Sequence, residues 1–408
     1  VSLTQHKPTP AETAFREAYE ALDASGGRAQ SWAAFAEQGL PHKRVEEWKW
    51  SDVRQTLRQP RSQSGAVESD ISPAQAFGTA GAAEIVFANG RLIGEPELPE
   101  GAVLHRQDEA NPPGERESYP LAALAGALTL ETGAYVLEIN GEVSRPIRLR
   151  LISEGEGAHH LRLSVVVREN ASATILESHE GEGAPYANTL VELDLQRNAR
   201  LKRYIIHQGS ADVVNTTTTL GHVAERAGYH QAILTFGGAL TRFDARLTCE
   251  GDETDIRLDG AYLLDGQRHA DLTSVVDHRG EGSVTQQVVK GVVDDRGRGA
   301  FQGRFDVARG AQKTDAQMQH HALLLSERAQ SNAKPELMIF ADDVQCAHGN
   351  TVGALDENAL FYMRSRGIDA ASARALLIEA FISEAFAHIP DDVQEEFIAR
   401  SREWLEKK

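Results

Sequence analysis

Two residues near the C-terminus, Cys346 and His348, are placed to do chemistry together. In QCAHG they stand at i and i+2 of a segment whose surroundings read as strand, so both side chains project from one face. Thiolate and imidazole are good ligands for soft or borderline metals such as iron and zinc. Two ligands do not close a tetrahedral site, so others must come from this chain, where Asp342 and Asp343 are nearby, or from a partner. Two other readings stand beside this one. Cys346 can be a buried thiol in the last turn of a β-core, beside a histidine bonded to a carbonyl. The two can also form a nucleophile pair, although no orienting group or oxyanion hole is identifiable.

Other signatures are missing or bland. There is no GxxxxGK[ST], no HExxH and no CxxC. Gly297, Gly299 and Gly303 in GRGAFQG miss the GxGxxG spacing and read as turn glycines between strands. His159–His160 and His320–His321 are adjacent pairs; neighbours on a strand point to opposite faces, so neither pair makes a joint ligand set. Cys249 is the only other cysteine, which rules out a disulfide framework. The balance of 60 acidic to 42 basic residues, a formal charge of −18, argues against general nucleic-acid binding. The longest weakly polar run, Leu121 to Leu130, is far short of the ~20 residues that span a bilayer. The N-terminal stretch VSLTQHKPTPAETAFREAYEAL lacks an apolar signal core. The expectation is a soluble cytoplasmic protein with no membrane contact.

The elements that must position these residues fall into three zones. Residues from about 9 to 58 read as helices, with Pro10 at a helix start, Glu12 in the first turn and Phe15, Tyr19 and Leu22 as one apolar stripe. A second helical segment carries Trp32, Phe35 and Ala36, and Trp48 and Trp50 read as rings that dock this small domain onto the main body. Residues 59 to about 80 have linker composition. Strand character begins at Glu84, with a turn at Asn89–Gly90. Asn111 to Tyr119 reads as a loop, and Leu121 to Leu130 as a helix or a buried strand.

From about 134 to 325, short alternating runs recur roughly every 12–16 residues, with Leu161, Leu163, Val165 and Val167 as one example. No helical pattern intervenes, which excludes a βαβ sheet. Such an array can close as a sandwich or stack as a solenoid; the weak repeat and scarce hairpin turns favour a parallel β-helix. After Gly353 the period becomes helical. Asp356 caps ENALFYMRSR, Gly367 ends it, and Asp369 caps the next helix, whose apolar face runs through Leu377, Phe381, Phe386 and Ile389, with more apolar surface around Leu376 and Ile382. Pro390 starts a third helix with Phe397, Ile398, Trp404 and Leu405 as its apolar side. The fold class is therefore mainly β: a parallel β-helix core over 81–350, an N-terminal helical domain and linker over 1–80, and a C-terminal helical domain over 351–408.

At AKPELMIFADDVQCAHGNTVGALDENALFYMRSRGI the chain resembles the SufB/SufD scaffold subunits of the SUF iron–sulfur cluster assembly system, in the pattern of the SufD branch. Further matches are His278 in VVDHRG, Lys290–Gly291 in VVKGVV, Phe301 to Gly303 in AFQG, Lys313 to Asp315 in AQKTDAQ, and PHKRVEEWKWSDV near the N-terminus. There are departures: Ala347 where Ser is common, Asn350 in place of a small residue, and His320–His321 where other polar residues are usual.

The resemblance implies a right-handed parallel β-helix flanked by helical domains, with no catalytic turnover of its own. It implies a heterodimer with SufB through the end of the β-core and docking of the ATPase SufC through the C-terminal helices. A homodimer is the alternative partner state for the isolated chain. His348, and with it Cys346, would lie where a nascent cluster forms, SufB supplying the missing ligands. No cofactor is then held stably by this chain alone. Leu360, Phe361, Tyr362, Arg364 and Arg366 are the candidates for docking SufC. The competing reading is a β-helix polysaccharide lyase or hydrolase.

Overall fold

The computed structural model describes residues 7–23, 26–67, 76–78, 81–107, 115–130 and 134–407. Parts of the linker and of the loop expected before Tyr119 lie outside these residues.

From Ala134 onward the strands go alternately to two sheets, and each but the last two pairs with the second strand after it. Tyr186, Val214 and Leu240 thus stack in one column, although 28 and 26 residues separate them in sequence. The result is a flattened parallel solenoid of about eight turns. One sheet has ten strands and ends at Gln345–Gly353; the other has nine and ends at Gln330–Ile339. Odd and even positions of each strand face opposite ways. One set, including Ile175, Val191, Ile205, Ile233 and Phe301, fills the space between the sheets as a continuous apolar column. The turns stack as well: Asn170, Asn198 and Arg226 occupy left-handed positions at φ +60°, +56° and +55°. Their side chains link, with Asn198 Nδ2 donating to Asn170 Oδ1 at 2.8 Å and Arg226 Nε to Asn198 Oδ1 at 2.9 Å. Asn tolerates this conformation because its short amide satisfies local polar groups.

The first coil is finished by antiparallel strands. Asn89 and Gly90, at φ +47° and +77°, form the expected hairpin turn between Ala83–Ala88 and Arg91–Ile93. Ala102–Gln107 runs antiparallel to the first strand of the other sheet.

The N-terminal helices are α1 (Pro10–Glu20), α2 (Gly26–Gln38) and the short α3 (Val53–Thr56). Thr9 and Glu12 close a capping box on α1. The run left open between helix and strand is α4 (Pro120–Leu128), buried at every position from Leu121 on. Having no polar face, it shows no helical period to read. Phe15, Phe35, Trp48, Leu121 and Leu124 share one cluster with Tyr186, Val214 and Leu240 of the solenoid. Trp48 docks this layer as expected, with the Arg242 guanidinium 3.9 Å from its ring centre.

Three helices follow the last strand: α5 (Glu357–Ser365), α6 (Ala370–Ser383) and α7 (Asp391–Glu406). Asp356 and Asp369 are their N-caps as expected, and Gly367 takes φ +88°. The buried face of α6 is Ala373, Ile378 and Ile382, continuing into Ala385 and Phe386, while Leu377 and Phe381 are half-buried. Ile382, Phe386 and Ile389 are buried as expected, whereas Leu376 is exposed; α6 is apolar nearly all round, so packing on the solenoid and on Phe397 selects the rest of the stripe. Two of the presumed turn glycines, Gly299 and Gly303, lie inside the strand Arg298–Val307. A Cβ at Gly299 would overlap the Tyr262 ring, and one at Gly303 would overlap Met318, so these glycines make room for neighbouring side chains.

Candidate functional site at the open end of the solenoid

Register places the candidate pair. Ala316, Met318 and His320 pair with Cys346, His348 and Asn350. Ala316 and Met318 belong to the interior core, so Cys346, His348 and Asn350 lie on the inward row of the last strand, above the end of the apolar column. Opposite them, Ser331, Ala333, Pro335 and Leu337 occupy the same row of the other sheet, stacked on Gly299, Phe301, Gly303 and Phe305. Among the described residues, no further strand follows in either sheet.

This makes Gln330–Ile339 and Gln345–Gly353 edge strands, with every second peptide group aimed outward. Gln345 N–H and Phe340 N–H bond back to Thr314 and Val307, which sets the parity. Residues 346, 348, 350 and 352 on one strand, and 331, 333, 337 and 339 on the other, present theirs to the free edge. Pro335 falls on that outward parity, where its missing N–H disturbs no ladder bond. Met338, Ile339, Phe340 and Val352 expose apolar surface around this end, Phe340 at 63%.

Cys346 is half-buried against the core and its thiol is pushed up by that burial, while the Ala316 backbone works the other way. His348 is exposed. Among the described residues, no group of three or more His, Cys, Asp or Glu is gathered as a metal site. Asp342 and Asp343 are exposed on the preceding turn and do not complete one. Cys249 is fully buried in the core, where desolvation pushes its thiol up to about 12, partly offset by Thr254.

The helix α5 beyond the edge has no buried residue. Phe361 and Tyr362 are 75% and 59% exposed, Arg364 and Arg366 are exposed, and Leu360 is half-buried. The Arg366 guanidinium lies 4.9 Å from the Tyr362 ring centre. Close by, the helical layer grips the solenoid through buried Lys290, whose Nζ meets Glu384 at 2.5 Å and the Phe381 ring at 4.7 Å.

Sequence reasoning singled out His320 only as half of an adjacent pair, and it found neither of two polar networks inside the solenoid. Beneath the last strand, His320 is fully buried; its Nδ1 lies 2.7 Å from Asn350 Oδ1 and its Nε2 2.8 Å from Tyr262 Oη. Burial pushes His320 down to about 4, with Asn350 partly opposing. Deeper in, Arg203 makes a two-pronged bond to Glu177, 2.7 Å on each arm, and His179 Nε2 reaches the same carboxylate at 2.6 Å. Burial alone would raise Glu177; Arg203 and His179 override it and hold the group at about 2. A signal for this pair was present: Glu177 and Arg203 fall on the inward phase of their strands, one coil apart. A surface cleft of about 1110 Å³ lies elsewhere, on the N-terminal helices, and none of the candidate residues lines it.

The sequence model of the family described as "SUF system FeS cluster assembly, SufBD core domain" matches residues 150–381, more than half of the chain. The chain belongs to the SufBD family. A SufBD family protein of Synechocystis is 30% identical over 86% of this chain and 84% of its own length. The SufD of Escherichia coli is 26% identical over 89% and 88% respectively. The SufD of Bacillus subtilis is 26% identical over 67% of this chain and 64% of that protein. The SufBD chain described above is thus an iron–sulfur cluster assembly protein of SufD type. No helix among its described residues is long and apolar enough to cross a membrane.

Proposed function

We propose that this chain is a non-catalytic scaffold subunit that pairs with SufB through its last coil and docks the ATPase SufC through the C-terminal helices. A nascent iron–sulfur cluster is then assembled at the junction with SufB. The observation that carries this reading is the unfinished end of the solenoid: two bare edge strands, an apolar rim, and Cys346 with His348 on the inward row. A bare edge is a template for strand addition, and a partner's own edge strands can continue both sheets. Pairing would cover Cys346 and His348 and bring the partner's ligands to them. Iron and sulfide are the substrates of this site. His348 offers an imidazole, and Cys346 a thiol that metal binding would deprotonate. The exposed face of α5 supports a second contact, with Phe361 and Tyr362 as aromatic anchors and Arg364 and Arg366 at the rim. Lys290 and Glu384 tie that layer to the coil two strands below the edge, a route by which an ATP-driven movement of SufC reaches the junction. Without SufB, the same edge can accept a second copy of this chain. The setting we infer is cytoplasmic. Membership in the family displaces the carbohydrate-active alternative.

The test is co-expression with SufB and SufC, with the tag on this chain, scoring retained partners, iron and sulfide. His348→Ala should keep both partners and lose most of the iron and sulfide, Cys346→Ala less. Phe361→Ala should lose SufC and keep SufB. A His348→Ala complex with full cluster content removes the site from the proposal; failure to retain any partner removes the proposal itself.

A further inference from the structure

Two residues of neighbouring strands, His320 and Asn350, touch each other. They belong to a chain of hydrogen bonds that starts at Ser331, whose Oγ lies 3.1 Å from Tyr262 Oη. It continues through His320 and ends at Asn350 on the inward row of the last strand. The chain has a direction. Asn350 Oδ1 can only accept, so His320 Nδ1 carries the proton. His320 Nε2 is then an acceptor, and Tyr262 O–H donates to it. The geometry is held on every side. The His320 ring stacks on Phe301 at 5.0 Å and 2°, and the Tyr262 ring lies in a slot that a Cβ at Gly291 or Gly299 would fill. With Oδ1 committed to His320, the Asn350 amide turns its N–H₂ group away from that bond. Asn350 is exposed, and it is two residues from His348 on the same row, about 7 Å along the strand.

We infer that Asn350 is a further substrate-contacting residue of the junction, donating its amide N–H to an anionic sulfur ligand of the nascent cluster, and that His320 and Tyr262 are its positioning residues. This rests on the proposed cluster-assembly role of Cys346 and His348. Donors to cluster sulfur favour the more negative, reduced form and so raise the reduction potential. The remaining valence of the amide is thereby used, and the buried histidine is explained as the group that aims it.

Two measurements decide it. In the isolated full chain, long-range ¹⁵N–¹H correlation, with His320 assigned by substitution, should show the Nδ1–H tautomer; the Nε2–H tautomer overturns the relay. In the complex with SufB and SufC, Asn350→Ala and Asn350→Asp should both retain the partners. Each should lower cluster content about tenfold, the scale of second-shell changes at metal sites, or move the midpoint potential negative. Asn350→Asp is the severer variant, because it keeps an acceptor for His320 and puts a charged acceptor where the donor stood, whereas Asn350→Ala removes the donor without adding charge. If Asn350→Asp behaves as wild type, Asn350 merely holds the strand and the inference falls. His320→Phe should match Asn350→Ala, and the double variant should be no worse than either. His348→Ala runs alongside: its loss of cluster with an unaffected Asn350→Asp overturns this inference alone, whereas a normal His348→Ala overturns the reading on which it rests.

Discussion

At its first coil the solenoid ends in two antiparallel strands, Arg91–Ile93 and Ala102–Gln107; at its last coil it ends in two parallel strands that no further strand among the described residues joins. The neighbouring strands Arg298–Val307 and Gln330–Ile339 pair residue for residue and share the same alternation. The first is mostly buried, and the second has no buried residue. The two strands share register and phase, and they differ in their place in the stack. An inward row becomes core when another coil lies on it and remains a surface when none does. At the first end the chain turns back along each edge, through the hairpin strand Arg91–Ile93 in one sheet and the antiparallel strand Ala102–Gln107 in the other. The last end carries apolar side chains, outward peptide groups and the two candidate ligands together. Exposed surface of this kind is expected where a partner completes the fold.

The contrast can be broken most forcefully in the interior. Arg203→Ala leaves Glu177 buried without its cation, so it should cost about 3–5 kcal/mol in urea unfolding of the isolated chain. Any single substitution of an exposed residue in the last coil should stay within about 1 kcal/mol. A loss under 1 kcal/mol for Arg203→Ala would mean that the interior network contributes little.

Acid should act on the interior first. Burial lowers His159, His269 and His278 to about 4 and His160 to about 3. Unfolded histidines titrate near 6.5, so below that value the unfolded chain binds more protons. Stability from these groups is complete above about pH 6.5 and is lost as pH falls toward 4 and 3. Urea midpoints should drop steadily over this range, and His160→Asn should flatten the slope. A midpoint independent of pH from 7 to 4.5 would contradict the assignment.

At the last coil the sensitive quantity is pairing. Val352→Pro removes an N–H that points to the free edge and no bond of the ladder. The isolated chain should unfold within about 1 kcal/mol of wild type, while retention of SufB falls roughly tenfold, the equivalent of 1.4 kcal/mol. Unchanged retention would show that pairing does not use this edge. The smallest effect is a labelling difference. Iodoacetamide should modify Cys346 slowly, because its thiol is pushed up, and leave Cys249 untouched until the chain unfolds. Bound SufB should slow Cys346 further; equal rates with and without SufB would place the interface elsewhere.

Much of this was legible in one dimension. The recurring alternating runs and the lack of helical period between them specify stacked strands, because burying one face of each strand requires period two. Asp356, Gly367, Asp369 and Pro390 mark the helix ends by local backbone chemistry alone. The spacing of Cys346 and His348 sets them on one face of a strand for the same local reason. Other features depended on the third dimension. α4 is apolar on all sides and α6 nearly so, so neighbours, not composition, determined the state of one and much of the buried face of the other. Gly299 and Gly303 serve residues 37 and 15 positions away, Tyr262 and Met318, which no local motif relates to them. His320 and Asn350 are 30 residues apart in sequence and 2.7 Å apart in space. A solenoid converts one coil length of sequence into a single strand spacing. Local chemistry therefore determined which residues face inward, and the stacking register alone decided which of them meet.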